Sequence, residues 1–267
     1  MNKIAKAFEG KKAFIAFITG GDPDIETTEK LIVAMAASGV NLIEIGIPFS
    51  DPVAEGIVIQ EADERALSNG CTVDKLFDMV KSVRKKVDIP LLFMSYINPI
   101  FVYGKERFME KCSQCGIDGI IVPDLPFEEK DEIAAACKKY GITQIPMIAP
   151  TSQERIKSIA KDAEGFIYCV SSLGVTGMRS QISTEIAEMI KRVKAISPTP
   201  CAIGFGISTP EQAREMAAIS DGVIIGSAIV KLIAAHGQKC IEPVTQFVSQ
   251  ISDAIMTDDD ENLSLRR

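Results

Sequence analysis

Histidine is nearly absent from this chain: of 267 residues only His236 is one, and there is no tryptophan. A His-rich metal centre or a Ser–His nucleophile pair therefore cannot be assembled from it. Basic residues are outnumbered, with 29 Lys and Arg against 36 Asp and Glu for a formal charge of −7, and no basic stripe runs along the chain. That leaves nothing to track a phosphate backbone, which excludes nucleic acid as the expected partner. No apolar run approaches the roughly 20 residues of a membrane helix, and Met1-Asn2-Lys3-Ile4-Ala5-Lys6 leads into no signal-like apolar segment. The chain reads as cytoplasmic. Its seven cysteines, Cys71, Cys112, Cys115, Cys137, Cys169, Cys201 and Cys240, are odd in number and fall mostly in periodic apolar segments. That pattern suits packed, reduced thiols. Cys112-Ser113-Gln114-Cys115 is the one close pair, and it lacks the second CxxC or nearby His that a zinc site needs.

What the chain does have is alternation. Strand-like runs at Ala13–Thr19, Asn41–Gly46, Leu91–Tyr96, Gly119–Val122, Thr143–Ile148, Phe166–Val170, Cys201–Phe205 and Asp221–Ile225 are nearly all apolar, as strands buried on both faces should be. Amphipathic helical segments separate them, among them Ile25–Ser38, Val73–Val87, Phe127–Tyr140, Ser183–Ile196 and Pro210–Ala218. Thr151-Ser152-Gln153-Glu154 and Thr209-Pro210-Glu211-Gln212 read as capping boxes, and Gly39, Gly116 and Gly141 follow helices where a left-handed cap is wanted. Eight strand–helix units predict an α/β chain folded as a single-domain (β/α)₈ barrel over residues 1–255, with a polar tail at 256–267. Doubly wound sheets usually have fewer strands.

The barrel makes strand ends a shortlist of site residues. Glu44 lies inside the second apolar run, in Ile43-Glu44-Ile45-Gly46-Ile47-Pro48-Phe49-Ser50-Asp51-Pro52-Val53-Ala54-Glu55-Gly56. A carboxylate there loses several kcal/mol of solvation unless it is paired, protonated, or placed at a cavity mouth where a raised pKa suits proton transfer. A strand carboxylate tied to a neighbouring cation or to backbone N–H groups is the competing reading. Gly204-Phe205-Gly206-Ile207-Ser208 after strand seven and Gly226-Ser227-Ala228-Ile229-Val230 after strand eight occupy the pair of loops where barrels commonly hold phosphate. The glycine-bearing loop Ser171–Arg179 after strand six suits a lid. His236 lies away from every strand end, and Lys11, Lys12 and Lys231 are misplaced for a Schiff base. Carboxylate chemistry beside a phosphate site is what remains. Phe17, Met94, Tyr96, Ile121, Met147, Tyr168 and Phe205 offer an apolar and aromatic set that either lines a pocket or fills the barrel.

Glu44 through Pro52 followed by Ala54, the turn from Thr19 to Pro23, Gly174-Val175-Thr176-Gly177 and the two phosphate-type loops resemble, in order, the pattern of the tryptophan synthase alpha family, from near the amino terminus to about residue 255. The resemblance implies a cofactor-free lyase that splits indole-3-glycerol phosphate into indole and glyceraldehyde 3-phosphate. It also implies a β subunit carrying pyridoxal phosphate, in an α₂β₂ heterotetramer. It places Glu44 on the general acid–base glutamate and Glu55 on the acid that holds the indole N–H. Phe17, Tyr96, Tyr168, Thr176 and Phe205 fall on the indole and glycerol positions, and Gly177, Gly206, Gly226 and Ser227 on the phosphate site. Asp51, Pro52 and Asp124 fall in loops that resemble the β-facing and lid-contacting surface. Two departures stand out: Glu55 where the family often has Asp, and Ile57 where a proline is frequent. A longer Glu55 side chain implies a loop set slightly farther back, with activity retained. A stand-alone lyase and a non-catalytic activator of the β subunit are the alternatives. A sugar-phosphate epimerase on the same fold would need His ligands at strand ends.

Overall fold

Every residue of β1 (Ala13–Thr19) is buried, as a strand covered on both faces and flanked on both edges requires. It pairs in parallel with β2 (Leu42–Gly46) on one side and with β9 (Gly222–Ile225) on the other. The computed structural model describes residues 3–152, 155–170, 179–204 and 206–256. In chain order the remaining strands are β3 (Leu91–Met94), β4 (Gly119–Ile121), β5 (Thr143–Gln144), β6 (Met147–Ile148), β7 (Ile167–Val170) and β8 (Cys201–Gly204). The sheet order β5-β4-β3-β2-β1-β9-β8-β7-β6 is parallel throughout.

The two ends of that sheet are halves of one segment. Thr143–Ile148, predicted as one strand, is interrupted at Ile145-Pro146. Proline supplies no N–H to a ladder, so β5 pairs with β4 and β6 with β7. The seam stays bonded because Ile145 N–H donates to Ile120 O at 2.9 Å and Tyr168 N–H donates to Pro146 O at 2.9 Å. The sheet thereby closes as the expected eight-stranded barrel, with its fifth strand split.

Besides α1 (Lys3–Lys6) beneath it, the helices around it are α2 (Ile25–Ala37), α3 (Ile57–Ser68), α4 (Val73–Val83), α5 (Ile97–Tyr103), α6 (Lys105–Cys115), α7 (Asp131–Tyr140), α8 (Ile156–Asp162), α9 (Arg179–Lys194), α10 (Pro210–Ile219), α11 (Ser227–His236) and α12 (Ile241–Ile255). None is long and apolar enough to cross a membrane. α2 packs on α4 and α12, α4 on α6, α6 on α7, and α10 on α12, so the helices lean on one another as well as on the sheet. α1 plugs the barrel floor. Ile4 reaches Gly119 and Gly165, and Phe8 meets Phe166 with ring centroids 5.5 Å apart.

Caps fall where the sequence placed most of them. Thr209 accepts a hydrogen bond from Gln212 N–H, with Pro210 opening α10. Gly116 and Gly141 take left-handed conformations at the ends of α6 and α7. The Thr151 box is a correction. Thr151 sits in a 3₁₀ turn over Pro150–Ser152, and α8 begins only at Ile156 after Arg155; Gln153 and Glu154 lie outside the described residues. Phe127–Tyr140 likewise resolves into a 3₁₀ turn, Phe127–Glu129, followed by α7. The seven cysteines are all buried and free, and Cys112 and Cys115 lie on α6 with the Cys115 thiol donating to the Cys112 carbonyl.

Candidate active site

Strand alternation decides what faces the barrel interior. Ile15, Leu42, Leu92, Ile121, Ile145, Phe166, Ala202 and Ile224 form one interior cluster. Two residues further along β2 from Leu42, Glu44 shares that inward face, opposite Phe17 on β1 and Leu92 on β3 in the parallel register. It has no exposed surface, and neither carboxyl oxygen has a hydrogen-bond partner. Among the described residues no cation stands beside it. Burial alone pushes its pKa up to about 8, so the side chain is a neutral acid at physiological pH. The paired-carboxylate reading of the sequence therefore gives way to the protonated one.

Near the mouth the inward positions shrink to Gly204 at the end of β8 and, just past β9, Gly226. These small residues leave room for neighbours. A Cβ on Gly204 would lie 2.5 Å from the Tyr168 hydroxyl, and one on Gly226 would lie 3.1 Å from the Phe17 ring. Phe17, Met94, Met147 and Tyr168 line a cavity of about 1290 Å³ that also reaches Glu55, Gly206, Gly226 and Ser227. It is larger than a single small-molecule pocket because it continues outward between β5/β6 and the α7–α8 side, past Lys130 and Arg155. Glu44 adjoins this lining: its charge raises the Tyr168 pKa further above the phenol value, after burial, which dominates. Ile121, by contrast, has no exposed surface and fills the barrel.

Glu55 enters from the loop between β2 and α3. It lines the cavity and sits against two groups, the Tyr96 hydroxyl and the carboxyl of Asp63 on α3. Burial raises its pKa, and those two contacts pull it back. Tyr96 itself is buried outside the cavity lining. It stacks near Phe49 at 5.4 Å, and its hydroxyl oxygen accepts from Ala54 N–H at 2.9 Å, which pins the loop one residue before Glu55. Gln60 adds a second tie, its side-chain amide donating to Glu55 O at 2.8 Å.

Asp63 went unremarked in the sequence, although a sign was there. Ile59, Ala62, Asp63 and Ala66 follow the spacing of a buried helical stripe, and all four are buried. An acid inside such a stripe is as costly as one inside a strand. Ile57 occupies the first turn of α3 and is 66% exposed, so a proline at this position would stand at a helix start.

At the phosphate-type loops, Gly226 is the N-cap of α11 and Ser227, exposed, is its first residue. A helix start with unpaired N–H groups is a ready anion site. Gly206 adopts φ 33° with nothing within 4 Å of a Cβ built on it, leaving its backbone approachable. Asp124 has a structural task, its carboxylate accepting from Ile97 N–H at 2.9 Å at the start of α5. Thr176, Gly177 and Phe205 lie outside the described residues, as does the Ser171–Met178 part of the predicted lid.

A family model for the tryptophan synthase alpha chain matches residues 4–256. The chain belongs to that family. A tryptophan synthase alpha chain of Lacticaseibacillus casei is 48% identical over 96% of both chains, and one from Caldanaerobacter subterraneus is 45% identical over 96% of this chain and all of the relative. Among solved structures, tryptophan synthase subunit alpha from Legionella pneumophila aligns with a TM-score of 0.87 at 37% identity, covering 96% of this chain and 98% of that one. A tryptophan synthase complex from Pyrococcus furiosus aligns with a TM-score of 0.82 at 34% identity, covering 90% and 98%. These alpha-chain likenesses span the barrel from α1 to α12, so the site residues sit on a shared frame.

Proposed function

We propose that this chain is a cytoplasmic carbon–carbon lyase running the alpha reaction of tryptophan synthase, the cleavage of indole-3-glycerol phosphate, with Glu44 as its acid–base group. The observation that carries the assignment is Glu44 itself: an unpaired acid on the inward face of β2, held neutral to about pH 8, beside a cavity whose lining includes a helix amino terminus. The family supplies the reaction; the residues supply the steps.

Glu44 donates its proton to indole C3, which leaves positive charge on the ring nitrogen. The bond from C3 to the glycerol chain then breaks, and its electrons neutralise the ring. The hydroxyl on the departing carbon becomes the carbonyl of glyceraldehyde 3-phosphate, and its proton returns to Glu44. No proton is gained or lost overall, so one group poised near neutrality serves both transfers. Glu55, as a carboxylate, accepts the ring N–H and is best used when that nitrogen is cationic, which is stabilisation of a developing charge. Phe17 and Tyr168 form the apolar walls for the ring, with Tyr96 positioning the Glu55 loop. The α11 amino terminus, Gly206, Gly226 and Ser227 take the phosphate, and Thr176, Gly177 and Phe205 join the site on the family resemblance. The chain needs no cofactor for these steps; pyridoxal phosphate is assigned to the β partner.

Coupling to a β subunit in an α₂β₂ assembly is supported by apolar exposure around the mouth. Val53 is 80% and Ile57 66% exposed beside Asp51 and Pro52, and Val102 on α5 is 82% exposed with Phe101 at 44%. Large apolar side chains left in water in two adjacent connections mark a docking face. The test is indole release from indole-3-glycerol phosphate, measured alone and with a β subunit. Stimulation by the β subunit supports the assembly, whereas full turnover alone with no stimulation makes the chain a stand-alone lyase.

A further inference from the structure

Beside Glu44 and Glu55, α3 brings to the site a third carboxyl that the steps of the alpha reaction leave unused. Asp63 is only 4% exposed, and its carboxyl lies within hydrogen-bonding reach of Glu55. The Phe49 backbone N–H donates to it. The Thr19 hydroxyl is near enough to favour its charge, but is buried without a hydrogen bond of ordinary length. On the facing residue, Glu55 Oε2 is buried and finds no N–H donor. Two ionised carboxylates cannot share so dry a space, whereas one proton between them bonds the two facing oxygens and leaves a single negative charge.

We propose that Asp63 is a positioning residue for the lyase: it carries the shared proton, donates it in a hydrogen bond to the Glu55 carboxylate, and so keeps Glu55 ionised and aimed at the indole N–H. The Glu55 side chain lines the cavity and touches Asp63 at the same time. The division of charge has a direction. Burial, the Glu55 charge and the Glu55 hydrogen bond together lift Asp63 to about 8, while on Glu55, which burial raises overall, the same hydrogen bond works in the opposite direction and favours the charge. Other chargeable groups facing Asp63 stay neutral in this range: Tyr96 is raised to about 12 and Cys71 to about 11, burial being the main cause for each. Lys75 stands behind Cys71, Arg65 on the same helix is paired with Asp22, and Lys231 and His236 on the adjoining α11 are exposed.

The inference rests on the role of Glu55 proposed above, and two readouts keep the two apart. The first is kcat/KM for indole release at pH 7 in Asp63→Ala, Asp63→Asn and Glu55→Gln. Loss of the positioning bond in Asp63→Ala lowers it about tenfold or more. Asp63→Asn, whose amide still donates to Glu55, recovers most of that loss. The second is the infrared band of protonated carboxyls in a Glu44→Gln background, where Asp63 is the expected remaining buried acid. The band is present at pH 7, fades as pH passes about 8, and vanishes in Glu44→Gln/Asp63→Asn. Wild-type turnover in Asp63→Ala, or Asp63→Asn as impaired as Asp63→Ala, overturns the positioning role. Absence of the band overturns the shared proton even if Asp63→Ala fails to fold. If instead Glu55→Gln turns over as wild type while the band behaves as described, the role of Glu55 fails and the proton assignment stands.

Discussion

Glu44 is a residue whose ionisation trades stability for chemistry. Folded, it keeps its proton to about pH 8 because burial disfavours the charge; unfolded, it releases it near 4.5. Between those values the native state binds more protons, so the stabilisation is complete below the lower pKa and is lost as pH rises through the upper one. Glu44→Gln, isosteric and uncharged, should therefore be more stable than wild type above pH 8, by at most roughly 4–5 kcal/mol, and equal to it near pH 4. Chemical denaturation at pH 5 and pH 9 checks this; equal gains at both would mean that the carboxyl is not the source. The same proton makes wild-type turnover fall as pH climbs beyond about 8. Of the site residues, Glu44 was the most legible in sequence because a lone acid stands out in an apolar run. Its protonated state was not, since only the fold shows that no cation or N–H among the described residues reaches it. The Glu55–Asp63 contact was hidden for another reason: it joins a loop to a helix face eight positions on, and the pairing depends on how α3 leaves that loop.

Among the elements, α3 is the one on which the mouth depends. It carries Asp63, packs on β1 and α11, and is tied to the β1–α2 turn by Arg65, whose guanidinium bonds both oxygens of Asp22 at 2.9 and 2.8 Å. The Asp22 side chain has no exposure while Arg65 retains a third of its own. Removing the cation would strand a buried carboxylate, so Arg65→Ala should destabilise by about 3 kcal/mol or more. Because the pair fixes the helix that carries Asp63, kcat/KM should fall as well, and a variant of wild-type stability would show that the pair holds nothing. Strands and most helices were readable from apolar runs and caps, since those depend on near neighbours in sequence. The break at Ile145-Pro146 and the late start of α8 were not, because each is settled by what the segment meets across the barrel.

At the scale of the whole molecule, the closed barrel places three independent connections at one mouth: the β2–α3 loop with Glu55, the β3–α5 region with Val102, and the β9–α11 start. Chemistry and the proposed docking face thus share one end, which would let a partner sense catalysis. Val102→Asp puts a charge on the exposed apolar face; it should leave solo indole release unchanged and weaken stimulation by the β subunit about tenfold, which titration calorimetry against the β subunit measures as a raised Kd. Undiminished affinity would place the interface elsewhere. The fold and the reaction were legible from the chain as a pattern of eight units and a resemblance, whereas the cavity's extent, shaped by glycines opposite large rings, was not. The central claim, that Glu44 moves the protons, is tested most directly by single-turnover indole release from indole-3-glycerol phosphate in Glu44→Gln of verified fold. Without the Glu44 proton the rate should fall at least about a hundredfold with phosphate-ligand binding retained, whereas turnover at the wild-type rate would mean that another group moves the protons.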